Sequence, residues 1–306
     1  MKPTHLMQIA DLSVSEIDGF LRMASAMKEN PVEHISSRPL AGKTLGLVFE
    51  KASTRTRISF EVAMTQLGGH SLVLGSEGSQ MTRGESVADT VKVLSRYVDG
   101  LVIRTFGQDI LEEWALHATI PVINGLTDLH HPCQVLADLL TIQERVGQLQ
   151  GVKIAYIGDG NNVAHSLIEA AVRMGMTLSL ACPSGYEPNQ VIVEAACMGS
   201  HAGTVECVTD PIIAVKNADF IYTDVWTSMG YEGEQGTRTA VFSGYQVNAA
   251  LVAAAKPQTL VMHCLPAHRG EEITSDVVDG PQSIVLDQAE NRLHVQKAIL
   301  VRLLGS

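Results

Sequence analysis

The sequence predicts an α/β protein built from two doubly wound domains, each around a parallel central sheet. Two observations carry this. Short β-branched runs alternate with longer helical patterns along the chain, and helix-length segments separate most of the runs. That is the pattern of parallel βαβ units whose sheets are covered on both faces. A third observation sets the number of domains: 306 residues is enough for about two of ordinary size.

The elements follow in order. Residues Ser13 to Lys28 read as an amphipathic helix, with Ser13 and Glu16 spaced as a capping box. The first half then offers strands in "TLGLVF", "SLVL", "GLVIR" and "IPVI". A long helical pattern starts after Pro132 and ends in the polar stretch "RVGQLQGVK" at 145–153, which contains two glycines. The second half offers "VKIAYIG", "TLSLAC", "TVECV", "DFIYTD" and "TLVMHC". The expected organisation is a first domain over 1–147, a second over 148–288, and a C-terminal helix over 289–306 packing back on the first. No internal repeat or low-complexity stretch stands out.

Composition narrows the function classes. A hydrophobic content of 45% with 18% charged residues describes a globular protein with well-filled cores. The net charge of -11 argues against nucleic acid or an anionic membrane as the main partner, but leaves room for a small anion held by local charge. The five cysteines are scattered, odd in number and without CxxC spacing, which suits a reducing compartment. The N-terminus lacks a basic region followed by an apolar signal core, and the most apolar run, "AALVAAA" at 249–255, is too short to span a bilayer. A soluble cytoplasmic protein is expected.

In open α/β sheets ligands collect at the carboxyl ends of strands. Arg104 follows "GLVI", Asp224 follows "DFIYT", Cys264 follows "TLVMH", and "FEKASTRTRISFE" (49–61) begins at the end of "TLGLVF". The active site is therefore expected in the cleft between the domains. In that stretch Ser53 to Thr56 fall where a helix begins, since Ile58, Phe60, Val62, Ala63 and Leu67 supply a helical apolar pattern. Either this is a cap with a solvated basic first turn, or it is an anion socket. Cations at a helix N-terminus are unfavourable unless an anion accompanies them. The unpaired N–H groups, the hydroxyls of Ser53, Thr54 and Thr56 and the planar fork of Arg55 therefore favour the socket. Lys51 and Arg57 remain unassigned.

Other candidates carry bland alternatives. Arg104 reads as a surface arginine or a ligand contact. "HHPCQ" at 130–134 sets His131 before Pro132 at a helix start with Gln134 one turn in, as a cap or as part of a site. His130, His131 and Cys133 lack regular metal-ligand spacing, as does "HCLPAH" at 263–268, so no metal is expected. "IGDGNNVAHS" (157–166) resembles a dinucleotide-binding turn, with Gly158 and Gly160 in place. Val163 occupies the third glycine position, and the next strand ends in "LACPSG" without a ribose-binding acid, which disfavours a nicotinamide enzyme. Asn162 remains as a side-chain amide at the sheet edge. Asp224 in "DVWTSMG" is either a strand end before a turn or an acid for a substrate ammonium beside a closing loop. Cys264 is a buried thiol or a site residue, and without a recognisable base it is a poor covalent nucleophile.

Taken together, these segments resemble the aspartate/ornithine carbamoyltransferase family over essentially the whole chain. "STRTR" and "HPCQ" look like the family's carbamoyl-phosphate motifs; "DVWTSMG" and "HCLP" look like the signatures that separate its ornithine enzymes from its aspartate enzymes. The resemblance implies that Ser53, Thr54, Arg55 and Thr56 hold the phosphate, and that Arg104, His131, Gln134 and Arg292 (in "AENR") contact carbamoyl phosphate. It implies the same for Gln80, a residue that members donate across a subunit boundary; here Met81 and Thr82 depart from the more usual Leu-Gly. It implies ornithine binding by Asn162, Asp224, Ser228 and Met229, with Cys264 and Leu265 flanking both substrates. Arg55, Arg104, His131 and Cys264 would be the catalytic set. The substrates implied are carbamoyl phosphate and L-ornithine, without metal or cofactor, in a homotrimer or multiple of trimers. The alternative within the family is another amine acceptor, such as N-acetylornithine or aspartate. A non-catalytic partner protein that keeps the fold would show degraded motifs, and these look intact.

Overall fold

The computed structural model describes residues 5–75, 85–198, 202–228, 230 and 232–305. The chain divides into two compact units: residues up to Leu140 together with Asn291 onwards, and Thr141–Glu290.

The first unit begins with α1 (Val14–Glu29), whose Ser13–Glu16 capping box is formed in both directions, followed by α2 (Pro31–Ser37). Then come β1 (Thr44–Phe49), α3 (Thr54–Gln66), β2 (His70–Gly75), α4 (Val87–Leu94), β3 (Gly100–Arg104), α5 (Gln108–His117) and β4 (Val122–Leu126). The helix α6 (Pro132–Val146) follows. The four strands run parallel in the order β2-β1-β3-β4. From β1 the chain moves outward to β2, then returns to the other side of β1 for β3 and β4. The order therefore reverses between β1 and β3, where Phe49 and Arg104 are register partners. Such a switch point opens a crevice at the strands' carboxyl ends.

Trp114, Leu101, Ile103, Leu111 and Val122 form a fully buried cluster on one side of this sheet. Each large side chain so buried contributes roughly 1.5–3 kcal/mol. Gly46 sits where β1 meets β3: a Cβ there would lie 2.7 Å from Leu101 Cδ2. The edge strand β2 is mostly exposed, whereas β3 is buried throughout. Residues 131–142, at the start of α6, are all buried.

The second unit contains β5 (Lys153–Ile157), α7 (Asn162–Arg173), β6 (Thr177–Ala181), α8 (Gln190–Cys197), β7 (Thr204–Val208), α9 (Pro211–Val215) and β8 (Phe220–Thr223). It continues with α10 (Gln235–Phe242), α11 (Ala249–Ala253), β9 (Leu260–His263) and α12 (Ser275–Val278). The last helix, α13 (Val285–Leu304), contributes its residues from Asn291 onwards to the first unit. The parallel sheet order is β7-β6-β5-β8-β9, so the switch point lies between β5 and β8, with Ile157 opposite Thr223.

Each glycine of "GDG" has a structural cause. Gly158 has φ +139, and a Cβ on Gly160 would sit 2.2 Å from the Pro188 nitrogen. The turn and a close backbone approach thus account for both glycines without a dinucleotide. Among the described residues, no helix is long and apolar enough to cross a membrane.

Candidate active site

In the first unit, Ser53 is the extended N-cap of α3, and its Oγ accepts the Thr56 N–H at 3.3 Å. The first turn holds no acidic residue; Thr54 and Arg55 are exposed and Thr56 is buried. The two cations left unassigned by sequence now have places. Arg57 is an exposed i,i+4 partner of Glu61 at 3.0 Å, an ordinary helix-surface pair. Lys51 is buried, pairs with Asp128 in the segment after β4, and stands 4.4 Å above the Phe106 ring. It therefore ties the end of β1 to the end of β4, two strands away in the sheet.

Beneath that helix start a buried polar chain is formed. Arg292, from α13, donates through Nη2 to Thr56 Oγ1 at 2.5 Å and through Nη1 to Gln134 Oε1 at 2.8 Å. Gln134 Nε2 in turn donates to Asp138 Oδ1 at 2.9 Å. Arg104 and His131 are also buried. Burial, reinforced by the Arg292 and Arg104 guanidiniums, holds the His131 imidazole well below its usual range, so it is neutral near pH 7. A neutral imidazole keeps one N–H donor and one acceptor nitrogen. Burial pushes the Cys133 thiol up to about 12, and its Sγ donates to the Asn124 carbonyl at 3.3 Å. It is a fully buried thiol packed in the core. Gln80 lies outside the described residues.

In the second unit the switch point is bridged by Asn161. Its Oδ1 accepts from Val163 N (3.0 Å) and Ala164 N (3.2 Å), capping α7, and from the Tyr156 hydroxyl at 3.2 Å. Its Nδ2 donates to Asp224 Oδ2 at 2.7 Å. The other carboxylate oxygen, Oδ1, accepts from Val225 N at 2.8 Å and from Cys264 Sγ at 2.8 Å. The residues after β5, β8 and β9 thus meet at one buried carboxylate. Asn162 is the first residue of α7, and Ser228 is half-buried; Met229 lies outside the described residues.

Two further clusters support these positions. Leu265 has φ 57, a left-handed backbone uncommon for leucine, and its N–H donates to His263 Nδ1 at 2.8 Å. That bond makes Nδ1 the acceptor, so His263 Nε2 carries the proton towards Glu272 Oε1 at 3.1 Å. The ligand atoms of Asp224, His263 and Cys264 lie within 4.8 Å of one another; Cys264 Sγ donates to Asp224 Oδ1, and His263 is the residue before Cys264. Arg238 pairs with Asp159 at 2.8 Å, donates to the Trp226 carbonyl at 2.8 Å, and lies 4.8 Å from the Tyr186 ring centroid. Burial pushes the Asp159 carboxyl up to about 6 against the pull of Arg238, so the pair remains mostly ionised at neutral pH.

The sequence candidates therefore fall into two groups, one within each unit: Ser53, Thr54, Arg55, Thr56, Arg104, His131, Gln134 and Arg292, and Asn162, Asp224, Ser228, Cys264 and Leu265. Sequence reasoning missed Asn161, Asp138, Arg238 and the His263–Glu272 pair. Asn161 and Asp138 had signals: a cap position, and an i,i+4 spacing from Gln134.

Comparison with known proteins follows the same division. Residues 4–144 match the family model described as "Aspartate/ornithine carbamoyltransferase, carbamoyl-P binding domain", and residues 150–303 match its "Asp/Orn binding domain". A protein from Bacillus subtilis (strain 168) named ornithine carbamoyltransferase is 56% identical over 301 residues, 98% of this chain and 93% of that protein. A protein of the same name from Syntrophus aciditrophicus is 54% identical over 295 residues, 96% of this chain and 97% of its own. Among solved structures, ornithine carbamoyltransferase from Pyrococcus furiosus superposes with a TM-score of 0.94 at 50% identity, covering 99% of this chain and 97% of that one.

Proposed function

The chain belongs to the aspartate/ornithine carbamoyltransferase family, and on that premise we propose that it transfers the carbamoyl group of carbamoyl phosphate to the δ-amine of L-ornithine, giving L-citrulline and phosphate. The observation that carries the choice of ornithine is Asp224, a buried carboxylate held by Asn161, Val225 and Cys264. A fixed negative charge suits a cationic amino acid and repels the second carboxylate of aspartate.

In this reading the N–H groups at the start of α3, the hydroxyls of Ser53, Thr54 and Thr56, and Arg55 hold the phosphate. Arg104, His131, Gln134 and Arg292 hold the carbamoyl end, with Gln80 as a further contact. Asp224, Asn162, Ser228 and Met229 hold ornithine, and Cys264 and Leu265 flank both substrates. The neutral δ-amine attacks the carbamoyl carbon, a tetrahedral intermediate forms, and phosphate leaves. Negative charge grows on the carbonyl oxygen, so Arg55, Thr56, Arg104 and neutral His131 act chiefly as preorganised electrostatic stabilisers. A free primary amine has a pKa of about 10.4, as for lysine, so it loses a proton before attack; Asp224 and Cys264 orient it. The transfer has no redox step, and no cofactor is assigned. We further propose a cytoplasmic homotrimer, or a multiple of trimers, acting in arginine biosynthesis.

The test is a citrulline-type colorimetric assay in which ornithine, aspartate, putrescine and N-acetylornithine are offered in parallel with carbamoyl phosphate. Product from ornithine alone is expected. Preference for any of the other three would replace the substrate assignment.

A further inference from the structure

The buried chain Thr56–Arg292–Gln134–Asp138 has a direction, and the direction starts at a residue to which no role has been given. A carboxyl oxygen without a proton only accepts hydrogen bonds, and Asp138 Oδ1 is in that role here. Asp138 is fully buried in α6 and receives the amide Nε2 of Gln134, one helical turn before it, at 2.9 Å. That contact and the one from Arg292 agree on which way the Gln134 amide faces: its NH2 turns to the carboxyl acceptor and its carbonyl oxygen to the donor-only guanidinium. That oxygen receives Arg292 Nη1 at 2.8 Å, while Nη2 of the same guanidinium donates to Thr56 Oγ1 at 2.5 Å. Thr56 Oγ1 has thus spent a lone pair on Arg292, and its hydroxyl hydrogen is left to donate. Ser53 is set in the same sense, since its Oγ accepts the Thr56 N–H at 3.3 Å. Two hydroxyls at the start of α3 are thereby prepared as donors, which is what an acceptor-only phosphate requires.

We propose that Asp138 is a positioning residue for carbamoyl-phosphate binding: its carboxyl oxygen accepts from the Gln134 amide and holds it in the orientation that aligns Arg292, which in turn sets the Thr56 hydroxyl as a donor. This rests on the assignment of the first unit to carbamoyl phosphate. An asparagine at 138 would weaken the constraint, because its neutral amide can offer an NH2 as well as an oxygen to Gln134. Its amide can donate to Gln134 Oε1, turning the Gln134 NH2 towards the Arg292 guanidinium, donor against donor.

The experiment compares the full-length protein with D138N, Q134M and D138N/Q134M. D138N is expected to raise KM for carbamoyl phosphate, and the Ki of inorganic phosphate as a competitive probe, by about tenfold to a hundredfold, the size of a lost hydrogen bond to a charged group. KM for ornithine should stay within twofold. In the Q134M background D138N should add nothing further, because the link it acts through is gone. An unchanged carbamoyl-phosphate KM in D138N, equal loss for both substrates, or additive effects in the double variant would overturn the proposal. If D138N does not fold, neutron diffraction on the unmodified protein reads the same link. Deuterium on the Gln134 nitrogen facing Asp138 is expected, and a reversed amide overturns it. If the unmodified protein makes no citrulline, the functional reading fails on its own, while calorimetric phosphate binding by the same variants still tests Asp138.

Discussion

Replacing Asn161 with serine separates two jobs that one side chain performs. Serine is as good an N-cap as asparagine, so the Val163 and Ala164 N–H groups keep an acceptor. Its shorter side chain reaches neither Asp224 Oδ2, now bonded at 2.7 Å, nor the Tyr156 hydroxyl at 3.2 Å. Losing a hydrogen bond to a charged partner costs about 1.5–3 kcal/mol, or about ten- to a hundredfold in an equilibrium. If Asp224 grips ornithine, that factor should appear in kcat/KM for ornithine at saturating carbamoyl phosphate, with KM for carbamoyl phosphate unmoved. Tyr156 is fully buried, and its hydroxyl would be left without Asn161, so stability should fall by about 1–3 kcal/mol in urea unfolding. N161D is the companion variant. It keeps the cap but sets a second carboxylate against Asp224, and two such groups do not ionise together. Its ornithine turnover should therefore show a further pH dependence on top of the one that amine deprotonation gives the parent. An N161S enzyme with ornithine kcat/KM within twofold of the parent would refute the reasoning.

Other substitutions test the remaining assignments. Arg55→Ala removes an exposed side chain, so the protein should fold normally yet bind carbamoyl phosphate at least about a hundredfold more weakly, the loss of a charge-assisted contact; unchanged binding by calorimetry would sink the socket assignment. Cys264→Ala should raise KM for ornithine while leaving residual activity, because Asp224 keeps its bonds from Asn161 and Val225. A carbamoyl thioester trapped on Cys264 and seen by mass spectrometry would overturn direct attack. His131 also predicts a pH dependence of stability. Its folded pKa lies below the unfolded value, so as pH falls the unfolded chain takes up the proton first. Its contribution is retained above about pH 6.5 and declines below that value. Unfolding free energies of H131Q should accordingly fall less steeply than the parent's between pH 7 and 5, and parallel profiles would count against a buried neutral imidazole.

The parts of the fold and site that were legible in the sequence are those set by local chemistry. The Ser13–Glu16 box, the Ser53 cap and the strand ends at Arg104, Asp224 and Cys264 follow from side-chain type and hydrophobic period. The rest depends on partners distant along the chain. Lys51 looked like one of several spare cations because its acid, Asp128, is 77 residues away and joins it only when β1 and β4 enter one sheet. The choice between Asn161 and Asn162 turns on which of two adjacent amides precedes the helix. Hydrophobic pattern fixes that boundary only to within a few residues, whereas the backbone puts Asn161 at the cap. Arg238 offered only an i,i+4 spacing from Glu234, the mark of an ordinary helix-surface pair, since its buried partner Asp159 lies 79 residues earlier. The strand orders, and hence the two switch points, were likewise not written in any single segment.

The guanidinium of Arg292 reaches Thr56 across 236 residues of sequence and Gln134 across 158. During synthesis α3 and α6 leave the ribosome long before that arginine exists. The carbamoyl-phosphate pocket we assign to the first unit therefore lacks one of its supports until residue 292 has been added and docked, and a nascent chain should hold that labile metabolite less tightly before then. A late-arriving residue of this kind acts as a checkpoint on completeness: a chain broken off before α13 would keep most of its first sheet and still lack the bridge between its two polar helix starts.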